Sequence, residues 1–315
     1  MTRMADVQAL GQRIRAGIET VIQGKPQVVR MALVTLLAEG HLLIEDIPGV
    51  GKTMLSRALG KAAGVSVRRV QFTPDLLPSD ITGVSVFNQH TREFEFRPGG
   101  VFANIVIGDE INRASPKTQA AMLECMEERQ VTVDAHTYPL QRPFMVVATQ
   151  NPIEMVGTHA LPEAQLDRFM IRVSMGYPVA DAELALLDAR NHHDPLAELE
   201  PVTDAVELEA AIEQVADVHA DESVQRYAVA IASATRHSSA IRLGASPRAT
   251  LQLLKAGRAN AALEGRDYVI PDDLRALAPA VLAHRVLLGT EASMGGRSPE
   301  DLIAAVTDTV AVPDA

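Results

Sequence analysis

Pro48-Gly49-Val50-Gly51-Lys52-Thr53 ends like a loop built to hold phosphate. Glycines let backbone N–H groups turn inward and approach phosphate oxygens. The helix expected to start at Lys52 adds its unpaired N–H groups and the positive end of its dipole. A lysine at a helix N-terminus is electrostatically misplaced unless an anion compensates it. A β/γ-phosphate would do so, with the Thr53 hydroxyl on Mg2+. The strict pattern G-x-x-x-x-G-K-[ST] asks for glycine where this chain has Asp46, with Glu45 beside it. Aspartate tolerates unusual backbone angles and can close its own turn with a side-chain hydrogen bond, so both carboxylates can lie outside the nest. The competing reading is a glycine-rich strand-to-helix turn with a solvated lysine.

Three further groups suit the same chemistry. Asn104 to Gly108 leads as an apolar strand into Asp109-Glu110. Aspartate there can hold Mg2+ through water, and the glutamate can polarise the attacking water; a strand followed by an acidic turn is the plain alternative. Gly108 within the strand suggests that another backbone comes close. Val146 to Thr149 is another apolar strand, delivering Gln150-Asn151-Pro152; alone, Asn151 is a loop amide. Ser246-Pro247-Arg248 opens a helix with a cation in its first turn, which the helix dipole disfavours unless an anion is near.

These groups need a scaffold, and the hydrophobic pattern supplies one. Val7, Leu10, Ile14, Ile18 and Val21 recur at helical spacing up to Gly24 and Pro26, and a second helix rich in Val29, Leu33 and Leu36 closes at Gly40. Strands are expected over 41–45, 67–72, 104–110, 144–149 and 169–173. Helices run over 52–63 and from Ser115-Pro116, a good cap and first helical residue. Short apolar strands alternating with helices indicate a parallel sheet covered on both faces. Residues 84–97 and 130–140 interrupt the alternation as hairpins, with turns at Asn88 to Glu93 and Ala135 to Thr137. After Tyr177 only helices are expected, and Gly289 to Ser298 reads as a flexible stretch. The division is 1–177 for the α/β core and 178–315 for the helical part.

The order of motifs resembles an AAA+ ATPase and, more narrowly, the MoxR family. The resemblance is carried by Pro48 to Thr53, Pro98-Gly99-Gly100-Val101-Phe102, Asp109-Glu110-Ile111-Asn112-Arg113-Ala114, Ala148-Thr149-Gln150-Asn151-Pro152 and Leu161-Pro162-Glu163-Ala164-Gln165-Leu166-Asp167-Arg168-Phe169. It covers nearly the whole chain, and family members commonly carry an acidic or other residue at the position of Asp46. The resemblance implies an α/β AAA+ P-loop core, a parallel sheet between helices with two hairpin insertions near a central pore, followed by an all-helical lid. It implies ATP and Mg2+ as ligands, with Pro48, Gly49, Val50, Gly51, Lys52, Thr53 and Met54 on the nucleotide and Thr53 and Asp109 toward the metal. Glu110 then activates water. Asn151, on a strand between those of the P-loop and Asp109-Glu110, is the sensor that helps orient it.

By the same resemblance, Arg168 is the arginine finger offered to ATP in the neighbouring subunit, which requires a ring, expected to be a hexamer. Spacing alone would leave Arg168 an ordinary ion pair with Asp167 or another acid. Arg248 matches the second sensor on the lid, reporting γ-phosphate to it. MoxR proteins are chaperone-like ATPases that help mature other proteins or insert cofactors, often with proteins containing a von Willebrand factor A domain. No such domain is legible here, so the adaptor and the client are expected to be separate proteins.

Composition narrows the alternatives. At 315 residues and 47% hydrophobic the chain can bury a substantial core. A formal net charge of -11 argues against nucleic acid as the main partner. No signal peptide and no integral membrane segment is legible, and the single Cys125 suits a reducing, cytoplasmic setting. Cys125 falls on a helix face with Met122 and Met126, which reads as core. His192-His193-Asp194 reads as a solvated loop, since two consecutive histidines rarely face one ion. The remaining functional alternatives are a chelatase-type ATPase subunit and a nucleotide-gated scaffold with little turnover. Intact Glu110 and Arg168 argue against the scaffold.

Overall fold

The computed structural model describes residues 4–152, 158–178, 183 and 194–313. Along the chain its strands are β1 (Leu42–Glu45), β2 (Val67–Gln71), β3 (Gly83–Asn88), β4 (Glu93–Pro98), β5 (Ile105–Asp109), β6 (Gln130–Val133), β7 (His136–Pro139), β8 (Met145–Gln150), β9 (Ile171–Val173), β10 (Ile241–Leu243) and β11 (Leu287–Leu288). Five of them form one sheet in the order β2-β5-β8-β1-β9, every neighbouring pair parallel. The strand that leads into Asn151, β8, thus lies between β1 and β5, as the resemblance implies.

Alternation along each strand sends side chains to two cores. Leu42, Ile44, Ile105 and Val147 join the core shared with the N-terminal and C-terminal helices. Leu43, Val106, Val146 and Ala148 join a second core with Phe72, Met122, Cys125 and Phe144. Cys125 is buried there and its thiol pushed up to about 12 by burial, which suits a packing residue and no nucleophile. Gly108 does not admit a passing backbone: a Cβ there would meet the Phe72 ring at 3.2 Å.

Each hairpin makes its own two-stranded antiparallel sheet, β3–β4 and β6–β7, outside the main one. The second turn is tighter than expected. Asp134 and Ala135 alone make it, both with positive φ (49° and 64°), which matches the twist of a two-residue hairpin. Alanine is a poor sequence signal for that conformation.

The C-terminal half is helical, with Ala205–Ala216, Glu222–His237, Pro247–Leu263, Pro271–Leu282 and Pro299–Asp308 as its longer helices. It also carries the short antiparallel ladder β10–β11 where only helices were expected, and the Pro271–Leu282 helix ends before it. The stretch expected to be flexible contains a helix, Thr290–Met294. The N-terminal helices lie against this half: Arg30 donates to Asn260 at 2.7 Å and pairs with Glu264 at 2.6 Å, and Arg13 pairs with Glu207. His192 and His193 lie outside the described residues; Asp194 caps the short helix Pro195–Glu198.

One buried group makes stability depend on pH. His41, entering β1, accepts from Val146 N at Nδ1 (3.0 Å) and meets Met126 O through Nε2 (3.0 Å). Those partners require the neutral ring, and burial pushes its pKa down from 6.5 to about 4. Between these values the unfolded chain takes up a proton that the folded chain refuses. The His41 contribution is therefore full above pH 6.5 and lost as pH falls toward 4. It amounts to about 3 kcal/mol. Urea midpoints followed across that window should fall less steeply for His41→Gln than for wild type. Parallel slopes would remove His41 as the source.

Candidate active site

The loop 46–51 leaves the C-terminal end of β1 and turns into the Lys52–Ala62 helix. Gly49 (φ 84°) and Gly51 (φ 94°) take left-handed conformations, and Gly51 is the residue from which the helix starts. This is the glycine requirement read from the motif, since L side chains rarely adopt such angles. Lys52 Nζ lies over the loop, 2.6 Å from Asp46 O and 3.3 Å from Gln150 O.

The two acids point away from the nest. Asp46 is buried and closes its own turn, Oδ1 accepting from Ile47 N at 2.7 Å. Its Oδ2 accepts from Ser174 Oγ at 2.8 Å and Gly176 N at 2.6 Å. Burial alone would raise its pKa; the bonds from Gly176, Ser174 and Ile47 outweigh it and hold the carboxyl below its ordinary value. Glu45 pairs with Arg172 on β9 at 2.8 Å. Asp46 thus ties the loop to the segment after β9 and leaves the inward N–H groups to a ligand.

Two strands over, β5 delivers Asp109 and Glu110 to the same sheet edge. Asp109 is buried between Thr53 Oγ1 (3.1 and 3.2 Å), Thr149 Oγ1 (3.3 Å) and Arg69 Nε (2.6 Å). Glu110 adopts a left-handed backbone (φ 58°) anchored by its N–H on Thr149 Oγ1 at 2.9 Å. Its Oε2 accepts from Gln71 Nε2 (3.1 Å) and Arg113 Nη1 (3.0 Å). Asn151, at the end of β8, is buried, and its carbonyl accepts from Asn112 Nδ2 at 3.4 Å. The structure therefore brings together Lys52, Thr53, Asp109, Glu110 and Asn151.

A cleft of about 660 Å³ opens beside the loop, within the range of small-molecule sites. Gly49 to Met54 form one wall. Val21, Ile22, Met175 and Leu196 supply an apolar remainder suited to a flat aromatic base, which the motifs had left unassigned. The hydroxyl of Thr53 and the buried carboxylate of Asp109 are hard oxygen donors that fit Mg2+, and Arg69 already holds positive charge at Asp109. Among the described residues, no group of three or more His, Cys, Asp or Glu side chains could hold a metal ion.

Arg168 and Arg248 lie elsewhere. Arg168 precedes β9, and the adjoining Met170 N donates to His41 O at the start of β1. The finger candidate is thus at the end of the parallel sheet opposite the P-loop, separated by a four-residue strand about 13 Å long. Both arginines pair with Glu127, Arg168 at 3.1 Å and Arg248 through a short contact. The anion that the first-turn Arg248 calls for is, within one chain, this carboxylate. Glu127 itself sits at a helix C-terminus, where the dipole favours cations. Among the described residues, Arg168 Nε is buried without a hydrogen-bond partner.

Sequence reasoning missed Gln71, Arg69 and Glu127 and left Arg113 unassigned. Only the parallel register, Gln71 opposite Asp109, brings β2 to the acids. No local pattern marks Glu127 among the acids of its helix.

The sequence profile of the ATPase family associated with various cellular activities (AAA) matches residues 41–171, and that of the AAA lid domain matches residues 233–306. The Bacillus subtilis protein YeaC is 49% identical over 313 residues, 99% of this chain and 98% of its own. Chaperone MoxR1 of Mycobacterium tuberculosis is 40% identical over 318 residues, covering 98% of this chain and 84% of that protein. A crystal structure from Cytophaga hutchinsonii superposes with a TM-score of 0.91 at 34% identity, over 99% of this chain and 97% of the other.

Proposed function

Because the chain belongs to the MoxR family of AAA+ ATPases, we propose that it hydrolyses ATP with Mg2+ in a ring of identical subunits and uses the turnover to remodel a client protein. The observation that carries this reading is the meeting of the P-loop, Asp109, Glu110 and Asn151 at one edge of a parallel sheet. In it, Pro48 to Lys52 cradle the phosphates, Met54 flanks them, and Thr53 and Asp109 hold the metal. When bound, Mg2+ neutralises phosphate charge. Glu110 polarises the attacking water and Asn151 helps to orient it. Arg168 completes the site of the adjoining subunit. Arg248, joined to Arg168 through Glu127, reports the phosphate to the lid. The core ends near residue 177.

A hexamer is the ring we propose, with a von Willebrand factor A domain protein as adaptor and the cytoplasm as the place of work. AAA+ proteins are generally oligomeric, and the name chaperone given to the Mycobacterium relative supports the client-handling half. No helix among the described residues is long and apolar enough to cross a membrane. Incubation with ATP and Mg2+ should release phosphate, with a specific activity that rises with protein concentration until assembly is complete. An assembled, ATP-bound protein that releases none would be a nucleotide-gated scaffold instead.

The first hairpin is the surface we assign to the adaptor or client. Phe96 packs onto Phe102 and stacks at 3.9 Å on Tyr138 of the second hairpin, so it serves its own domain. Phe87 and Phe94 form a cross-strand pair, yet remain 48% and 73% exposed. Replacing both by serine should leave basal hydrolysis and assembly intact. Capture of a co-purified adaptor, or hydrolysis stimulated by it, should fall about tenfold or more. Unchanged capture would clear the hairpin of this role.

A further inference from the structure

Arg285 is buried, its side chain 1% exposed, although it has no place in the ATP site. It enters from the single turn Ala283–Arg285 that ends the Pro271–Leu282 helix of the lid. Its guanidinium falls almost entirely on the segment 167–170. Nε donates to Asp167 Oδ1 at 2.9 Å, Nη2 to Asp167 O at 3.1 Å and Phe169 O at 2.5 Å, and Nη1 to Met170 O at 3.1 Å and to Val281 O. The neighbouring His284 Nε2 meets Phe169 O at 2.9 Å. Ser246, which caps the helix bearing Arg248, donates its hydroxyl to the same Asp167 carboxylate at 3.0 Å.

Burying a guanidinium is costly unless its donors are met. Here they are met by the main chain on both sides of Arg168, whose own Nε is buried and without a hydrogen-bond partner among the described residues. β9 needs no such clamp for its own register, since it pairs with β1 and Met170 N is held by His41 O. We propose that Arg285 and Asp167 form a positioning joint through which the lid fixes the backbone of Arg168, and so sets how that guanidinium enters the adjoining subunit's ATP site. This rests on Arg168 acting in trans. Asp167 also holds the Arg248 helix, so one carboxylate sets the spacing of both arginines. The planar fork of arginine matches several carbonyls at once; lysine at 285 would keep the charge against Asp167 and lose the clamp.

Arg285→Lys rings should bind a fluorescent ATP analogue within about twofold of wild type while kcat falls about 10- to 100-fold, the scale of a misplacement near 1 Å. Thermal unfolding establishes that the variant is folded, and Asp167→Asn takes its place if it is not. The decisive measurement mixes Arg285→Lys with Glu110→Gln subunits under confirmed exchange. The Glu110→Gln subunit carries a correctly set Arg168, and the Arg285→Lys subunit an intact P-loop, so activity should recover, as is expected for Arg168→Ala mixed with Glu110→Gln. A general packing defect would injure the variant's own site and show no recovery. Wild-type kcat in both variants would overturn the joint. So would recovery for Arg168→Ala but not for Arg285→Lys. Recovery for neither would refute the trans reading, and the joint with it.

Discussion

Arg168→Ala subunits should bind ATP as wild type does and hydrolyse it about 10³- to 10⁵-fold more slowly. The size of the effect comes from charge. The phosphoryl oxygens carry most of the negative charge in the transition state, and a guanidinium brought to them in a water-poor interface acts where screening is least. The direction comes from geometry, since Arg168 lies at the sheet end opposite its own P-loop, held with Arg248 on Glu127. Loss of its side chain should therefore spare ATP affinity in the mutated chain and disable its neighbour. Mixing with Glu110→Gln subunits should restore part of the activity, because some interfaces then join an intact site to an intact finger. If mixing is confirmed and nothing is restored, the assignment fails. Full specific activity from a demonstrated monomer would refute it outright.

Lys52→Ala and Glu110→Gln should separate binding from chemistry. Lys52 is the cation at the mouth of the glycine loop, bonded in the single chain to Asp46 O and Gln150 O. Removing it should weaken ATP binding by about 2–5 kcal/mol, the scale for truncating one side of a desolvated charge pair. Glu110→Gln keeps the shape and the contacts available to Gln71 and Arg113 but not the basic carboxylate, so ATP should bind normally while turnover falls by about 10²- to 10⁴-fold. Equilibrium binding and single-turnover phosphate release measure the two effects independently. Equal ATP affinity for Lys52→Ala and wild type would remove the P-loop assignment.

What could be read beforehand was local. The start of Pro247–Leu263 was expected because Ser246 and Pro247 mark a helix start by chemistry that acts within four residues. The glycine loop and the acids ending β5 were legible for the same reason, each being a short pattern with its own mechanism. The fate of Asp46 was legible only by half. Its turn-closing bond to Ile47 follows from its type, whereas its partners Ser174 and Gly176 are 128 and 130 residues away. Glu127 and Arg285 were invisible because their importance lies in what distant segments bring to them. The ladder β10–β11 was missed because strands of three and two residues are too short to show a period. Arg168 needed the family resemblance, and without it would have been taken for one more ion pair, which within the single chain it is.

A parallel sheet has a direction, and here the P-loop and Arg168 sit at its two ends. If Arg168 works where we propose, the surface that donates and the surface that receives are different faces of the molecule. Two copies facing each other across a two-fold axis could not satisfy both, so contacts must run head to tail. An open arc of n subunits would then hold n − 1 complete sites and always waste one finger and one P-loop, and only closure would add the last. A subunit dead in both functions would silence two junctions, its own and the next. In a random mixture, the surviving activity should therefore fall as the square of the intact fraction.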